Sequence, residues 1–205
     1  MRNFLALFLL IQTISFSQFE NIKSFQKKLI LEEKTGSNVA MVYKDGNMIY
    51  HHIENSNKPG DKNIDGETIF PVWSMSKPIT IVSVMTLVEE GKIKLDDPVS
   101  KYIPSFESLT CKSPSGSYKC NNVMTVYHLM THRSGLKYYD EFVNIRGLTS
   151  SVKYEDLETF ADDVSKVVLE FEPGTKYLYG INQAVLGRIV EVASGLDFYQ
   201  YLKKI

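Results

Sequence analysis

The run Ile79–Val88, broken only by Thr80, Ser83 and Thr86 and set between Pro78 and Gly91, constrains this chain more than any other stretch. It predicts a helix buried on most sides, with Gly91 at its C′ position. Proline lacks the amide that a helix interior needs, so the helix must begin within a few residues before Pro78. Ser74 then stands at its mouth, beside unpaired amides and the positive end of the helix dipole. Lys77, three residues on, comes round to the same face. A hydroxyl, an amine that can take its proton and amides waiting for an oxyanion are the parts of an acyl-transfer site.

The spacing alone proves little. Ser-x-x-Lys occurs four times, at Ser24/Lys27, Ser74/Lys77, Ser134/Lys137 and Ser150/Lys153. Chance gives about one copy at average serine and lysine usage. The bland reading of any copy is an N-cap serine with a solvated lysine. Only the copy at Ser74 opens a buried helix.

The chain has 205 residues, 43% hydrophobic and 23% charged, with a formal net charge of -1. These values suit one globular domain or a large part of one. Near-neutral charge without a basic run argues against a nucleic-acid partner. Met1-Arg2-Asn3 followed by Phe4–Ile11 is a short cationic region and an apolar core too short to span a membrane comfortably. Small residues at Ser15-Phe16-Ser17 give a cleavage site, so residues 1–17 read as a signal peptide and 18–205 as the folded domain. An uncleaved anchor is the weaker alternative. A periplasmic or secreted protein without a membrane span after leader removal is expected. In that oxidising setting Cys111 and Cys120, flanking a turn-rich segment, are expected to form a local disulfide, a clip on a surface insertion.

Apolar spacing over Phe19–Glu33 predicts a helix, and Val39–Tyr43 and Met48–Ile53 predict two strands joined at Lys44-Asp45-Gly46-Asn47. Thr125 caps a short predicted helix running to His132. His128 and His132 stand four apart, but His-Leu-Met-Thr-His lacks the glutamate of a zinc protease, so no metal is expected. Lys137–Val152 reads as irregular and Tyr154–Leu169 as helical. Glu172-Pro173-Gly174 is a turn signal, and two further helices are predicted over Asn182–Val192 and Leu196–Ile205.

Five blocks fall in one order: Val72–Pro78, Glu90–Val99, Leu129–Leu136, Glu172–Tyr179 and Leu186–Gly195. The series resembles the serine β-lactamase-related family, which holds class C β-lactamases, DD-peptidases and related carboxylesterases. The resemblance implies a mixed α/β (α+β) fold of the β-lactamase/transpeptidase type, an antiparallel sheet flanked by helices plus a helical domain. It makes Ser74 the nucleophile, Lys77 its paired lysine, and Tyr179 the tyrosine of the family's Tyr-x-Asn motif. Here the triplet is Tyr179-Gly180-Ile181, so the asparagine is missing. Asn182 is one place late and should point elsewhere. Tyr177 has the wrong spacing from Pro173-Gly174 and reads as a packing residue.

The family's late Lys-Thr-Gly or His-x-Gly strand should follow Tyr179 and does not appear. Lys34-Thr35-Gly36 precedes Ser74 and is read as coincidence. The chain is therefore expected to be an N-terminal portion of the fold, truncated before the late strands. The resemblance implies an acyl-enzyme hydrolase of small-molecule esters or small amides, needing no cofactor. Esters are favoured because Ile181 cannot contact a substrate amide as the family's asparagine does. The alternatives are a β-lactamase or peptidoglycan DD-peptidase taking a β-lactam or peptide, and an inactive fragment.

Overall fold

In a computed structural model that describes residues 19–139 and 156–205, the chain divides into two compact units, Met1–Pro71 and Val72–Ile205. The expected leader lies outside the described residues, as do most of Lys137–Val152 and both residues of the Ser150/Lys153 pair. No helix among the described residues is long and apolar enough to cross a membrane.

In the first unit residues 19–31 are helical (α1). An antiparallel hairpin follows, β1 (Asn38–Lys44) with β2 (Asn47–Glu54). The Asp-Gly pair makes its two-residue turn, with Asp45 and Gly46 both at positive φ, which matches the twist of paired strands. Gln26 of α1 donates to the Asn38 side chain at 2.8 Å and to the carbonyl of His52 at 3.3 Å, tying helix to hairpin. His51 and His52, on opposite faces, differ accordingly: His51 is exposed and His52 meets Glu54 at 2.9 Å.

The second unit is built around two helices, α2 (Ser76–Glu89) and α5 (Asn182–Ser194). Between them come β3 (Thr110–Ser113), β4 (Gly116–Lys119), α3 (Val126–Met130), α4 (Leu157–Val164) and β5 (Val168–Leu169), and α6 (Phe198–Lys204) follows α5. A three-residue 3-10 turn, Trp73–Met75, leads into α2, and Pro78 is its third residue, where a missing amide costs nothing. At the other end Lys92 N–H reaches Leu87 O at 2.9 Å and Gly91 N–H reaches Val88 O at 3.0 Å, the paired bonds of a Schellman cap.

The helix is less enclosed than its composition predicts. Thr80, Ser83, Val84 and Leu87 are buried, whereas Ile79, Val82 and Met85 are exposed, so one stripe rather than most of the circumference is covered. That stripe packs on α5, which also meets α3, α4 and α6. Val84, Leu87, Leu129, Leu186, Ile189 and Tyr201 join one core, and the Tyr201 hydroxyl finds Thr86 at 2.7 Å.

Cys111 and Cys120 are disulfide-bonded, with Cα atoms 5.1 Å apart. The insertion is more than a surface clip. Cys111 is fully buried, because β3 pairs antiparallel with β4 on one side and parallel with β5 on the other. This also corrects the helix read over Tyr154–Leu169: its described part is α4, and Val168–Leu169 is a strand.

Candidate active site

Trp73 has φ +48, in the left-handed region that a bulky side chain rarely enters, and Ser74 follows it, exposed in the 3-10 turn that leads into α2. One turn on, Lys77 Nζ donates to Ser74 Oγ at 3.0 Å. The same Nζ lies 4.9 Å from the centroid of the Tyr179 ring and 5.8 Å from that of Tyr138, and the two rings are 5.7 Å apart. Ser74, Lys77 and Tyr179, singled out from motif positions far apart in sequence, are thus neighbours. Tyr138 joins them without having given any signal in the sequence.

The electrostatics of the two bases run in opposite directions. Burial pulls the Lys77 ammonium toward neutrality, but hydrogen bonding to the phenols of Tyr179 and Tyr138 prevails and raises its pKa. Hydrogen bonding to Lys77, then to Ser74, holds the Tyr179 phenol below its ordinary value against the opposing effect of burial. The same hydrogen bonds therefore favour the ammonium form of Lys77 and the phenolate form of Tyr179, and the phenolate is the form that can accept a proton. Ser74 also brings its own amide, in the first turn where helical N–H groups lack carbonyl partners.

Tyr179 is delivered by two stretches that run side by side. Glu170 N–H reaches Gly135 O at 2.9 Å, Gly174 N–H reaches Arg133 O at 2.7 Å, and Leu178 N–H reaches His132 O at 2.9 Å. The Arg133 guanidinium also donates to Gly174 O. Their closeness explains two glycines. A Cβ on Gly135 would lie 2.5 Å from Phe171 O, and one on Gly180 would lie 2.4 Å from Leu136 O. The Glu172 carboxylate pins the turn before Tyr179 by accepting the amides of Asn121 and Asn122 at 2.9 to 3.1 Å.

Several expectations change here. Tyr177 is 66% exposed with its ring edge-on to His132, the centroids 6.0 Å apart, so it packs at the surface and not in the core. His128 and His132 share no helical face: α3 ends at Met130 and His132 takes φ +55. His128 Nδ1 instead accepts the Thr125 amide at 3.3 Å and completes a capping box. The late asparagine does point away from the place of Ile181. Asn182 is fully buried, with its amide nitrogen 2.8 Å from His132 Nδ1 and its oxygen 2.5 Å from Ser134 Oγ. The imidazole of His132, also buried, has its centroid 4.6 Å from that of Tyr179. Sequence reasoning passed over His132 and Ser134. The signal was their place in the Leu129–Leu136 block, which the zinc-like spacing of the two histidines obscured.

Beside Lys77 opens a cavity of about 280 Å³, lined also by Tyr138, Phe160, Ile181, Gln183 and Ala184. Its walls are mostly apolar.

The model of the beta-lactamase family matches residues 22–204. The chain belongs to the beta-lactamase family. It is 28% identical over 165 residues to esterase EstB of Burkholderia gladioli, covering 77% of this chain and 41% of that protein. It is 31% identical over 173 residues to acyltransferase calJ of Penicillium decumbens, covering 76% of this chain and 40% of that protein. Among solved structures, EstCE1, a hydrolase with promiscuous acyltransferase activity, superposes with a TM-score of 0.78 at 23% identity. That superposition covers 94% of this chain and 51% of EstCE1 and places the beta-lactamase fold on this chain. The chain spans about two fifths of the length of the curated relatives it matches.

Proposed function

We propose that this member of the beta-lactamase family is a serine hydrolase that works through an acyl-enzyme, with Ser74, Lys77 and Tyr179 as its catalytic residues and small carboxylic esters as its favoured substrates. The reading is carried by one observation: Ser74 Oγ stands 3.0 Å from Lys77 Nζ, which in turn faces the Tyr179 ring. In the reaction Ser74 Oγ adds to the ester carbonyl while the Tyr179 phenolate, stabilised by the Lys77 cation, takes the hydroxyl proton. The Ser74 amide faces the developing oxyanion. Collapse breaks the bond to the leaving alkoxide, which receives the proton from Tyr179, and the acyl group remains on Ser74. Water then adds, again giving its proton to Tyr179. The carboxylic acid leaves as the proton returns to Ser74.

The apolar cavity beside Lys77 supports an apolar acyl group, and Ile181 among its walls has no carboxamide to pair with a substrate amide. The likeness to a protein named an esterase points the same way.

Two measurements on the full-length protein test the reading. A fluorophosphonate should label Ser74, and Ser74→Ala should abolish both labelling and hydrolysis of a p-nitrophenyl ester. Labelling that persists in the alanine variant defeats the assignment of the nucleophile. Turnover of a chromogenic β-lactam faster than of the ester replaces the substrate class.

A further inference from the structure

The mechanism above leaves His132 unused, although its ring centroid lies 4.6 Å from that of Tyr179. We infer that His132 is a positioning residue for Tyr179, held as the neutral Nε2–H tautomer by a directed chain of hydrogen bonds from Leu136 through Ser134 and Asn182. The inference rests on the proposed role of Tyr179.

The chain has a fixed direction because both of its ends are backbone amides. Leu136 N–H donates to Ser134 Oγ at 3.0 Å, so the serine hydrogen goes forward to Asn182 Oδ1 at 2.5 Å. With its oxygen accepting, Asn182 presents Nδ2–H to His132 Nδ1 at 2.8 Å. Gly180 N–H, which can only donate, meets the same Nδ1 at 3.3 Å. Nδ1 is therefore an acceptor, and the ring hydrogen of a neutral imidazole must sit on Nε2. Opposite Nε2 lies the Gln183 carboxamide, its nitrogen 3.2 Å away and its buried oxygen without a partner among the described residues. Turning that amide over, which interchanges two nearly indistinguishable atoms, sets Oε1 on Nε2–H.

An imidazolium could not occupy this place. A proton on Nδ1 would face the Gly180 and Asn182 hydrogens. Among the described residues the charged group acting on it is Lys77 of α2; Tyr177 and Tyr179 are the titratable rings in contact with it, and α5 contributes the uncharged Asn182 and Gln183. Burial, then the Lys77 cation, accordingly lower the His132 pKa. A neutral ring locked in plane gives the Tyr179 ring a fixed wall, and the bond from Gly180 holds the next peptide. Both act on where the phenol oxygen points.

The test uses the full-length protein. His132→Asn keeps an acceptor near Nδ1 and suits the left-handed backbone, but removes the ring. His132→Phe keeps the ring and removes the acceptor. Each should lower kcat for the p-nitrophenyl ester, by up to about 10²-fold for a displaced general base. KM should change little, and the acid limb of kcat/KM should shift. Variants that melt like the unsubstituted protein yet keep its kcat and its acid limb overturn the inference. Should both variants fail to fold, nitrogen-correlated NMR of the unsubstituted protein decides. The histidine in contact with the Tyr179 ring should carry its hydrogen on Nε2 and not titrate between about pH 5 and 8. An Nδ1–H tautomer, or titration in that range, overturns it. Absence of Ser74 labelling in the unsubstituted protein would instead remove the role of Tyr179, and the inference with it.

Discussion

Lys77 and Tyr179 share one hydrogen-bonded locus and carry opposite tendencies, the ammonium pKa raised and the phenol pKa lowered. On the proposed mechanism the productive pair is ammonium and phenolate. Ester turnover should therefore rise with pH as the phenol ionises, beginning below the usual tyrosine range. It should fall only above the usual lysine range, once the ammonium is lost. Lys77→Met should erase both features, because an unassisted phenol keeps its ordinary pKa near about 10 and is mostly protonated at neutral pH. A kcat/KM profile for this variant with the acid limb of the parent would separate the tyrosine from the lysine. Trp73 and His132 bear on the same locus through backbone conformation, since both hold positive φ. Such residues cost energy that surrounding contacts must offset, and they gather at functional sites.

The turn that leaves α2 illustrates how one carboxylate can organise an element. Asp97 Oδ2 accepts the Lys94 amide at 2.8 Å, the Lys101 ammonium at 2.8 Å and the Tyr102 hydroxyl at 2.6 Å. Burial opposes its ionisation, but these bonds win and bring its pKa to about 2. The unfolded carboxyl ionises at about 4, so its stabilising contribution, about 2.5 kcal/mol, is complete above that pH and lost as pH falls through about 2. Asp97→Asn should lower the melting temperature at pH 7 and leave acid unfolding below about pH 2 nearly unchanged. An equal loss at both pH values would assign the effect to packing instead. The end of α2 at Gly91 was legible because caps and turns are written in adjacent residues. The Ser74–Lys77 pair and the hairpin were legible for the same reason. What escaped depends on partners distant in sequence: the burial of Cys111 by β5, the exposed stripe of α2, and the imidazole wall behind Tyr179. No local pattern encodes that Ser134 and Asn182, 48 residues apart, will meet.

Across the whole molecule the candidate site draws on contacts of very different reach. Ser74 and Lys77 are three residues apart and come together as soon as α2 forms. Tyr179 arrives only when the stretch ending at Leu136 and the stretch ending at Gly180 lie side by side and α5 docks on α2. Contacts between distant segments form slowly, because chain entropy is lost before they repay it. Refolding after dilution from denaturant should therefore show helical signal before Ser74 becomes reactive toward a fluorophosphonate. Reactivity that rises together with the helical signal would mean that the two stretches are already paired in the earliest folded species. On the proposed mechanism, that order would make the side-by-side pairing a timer: a half-made chain would carry its nucleophile openly but stay chemically silent until its fold is closed.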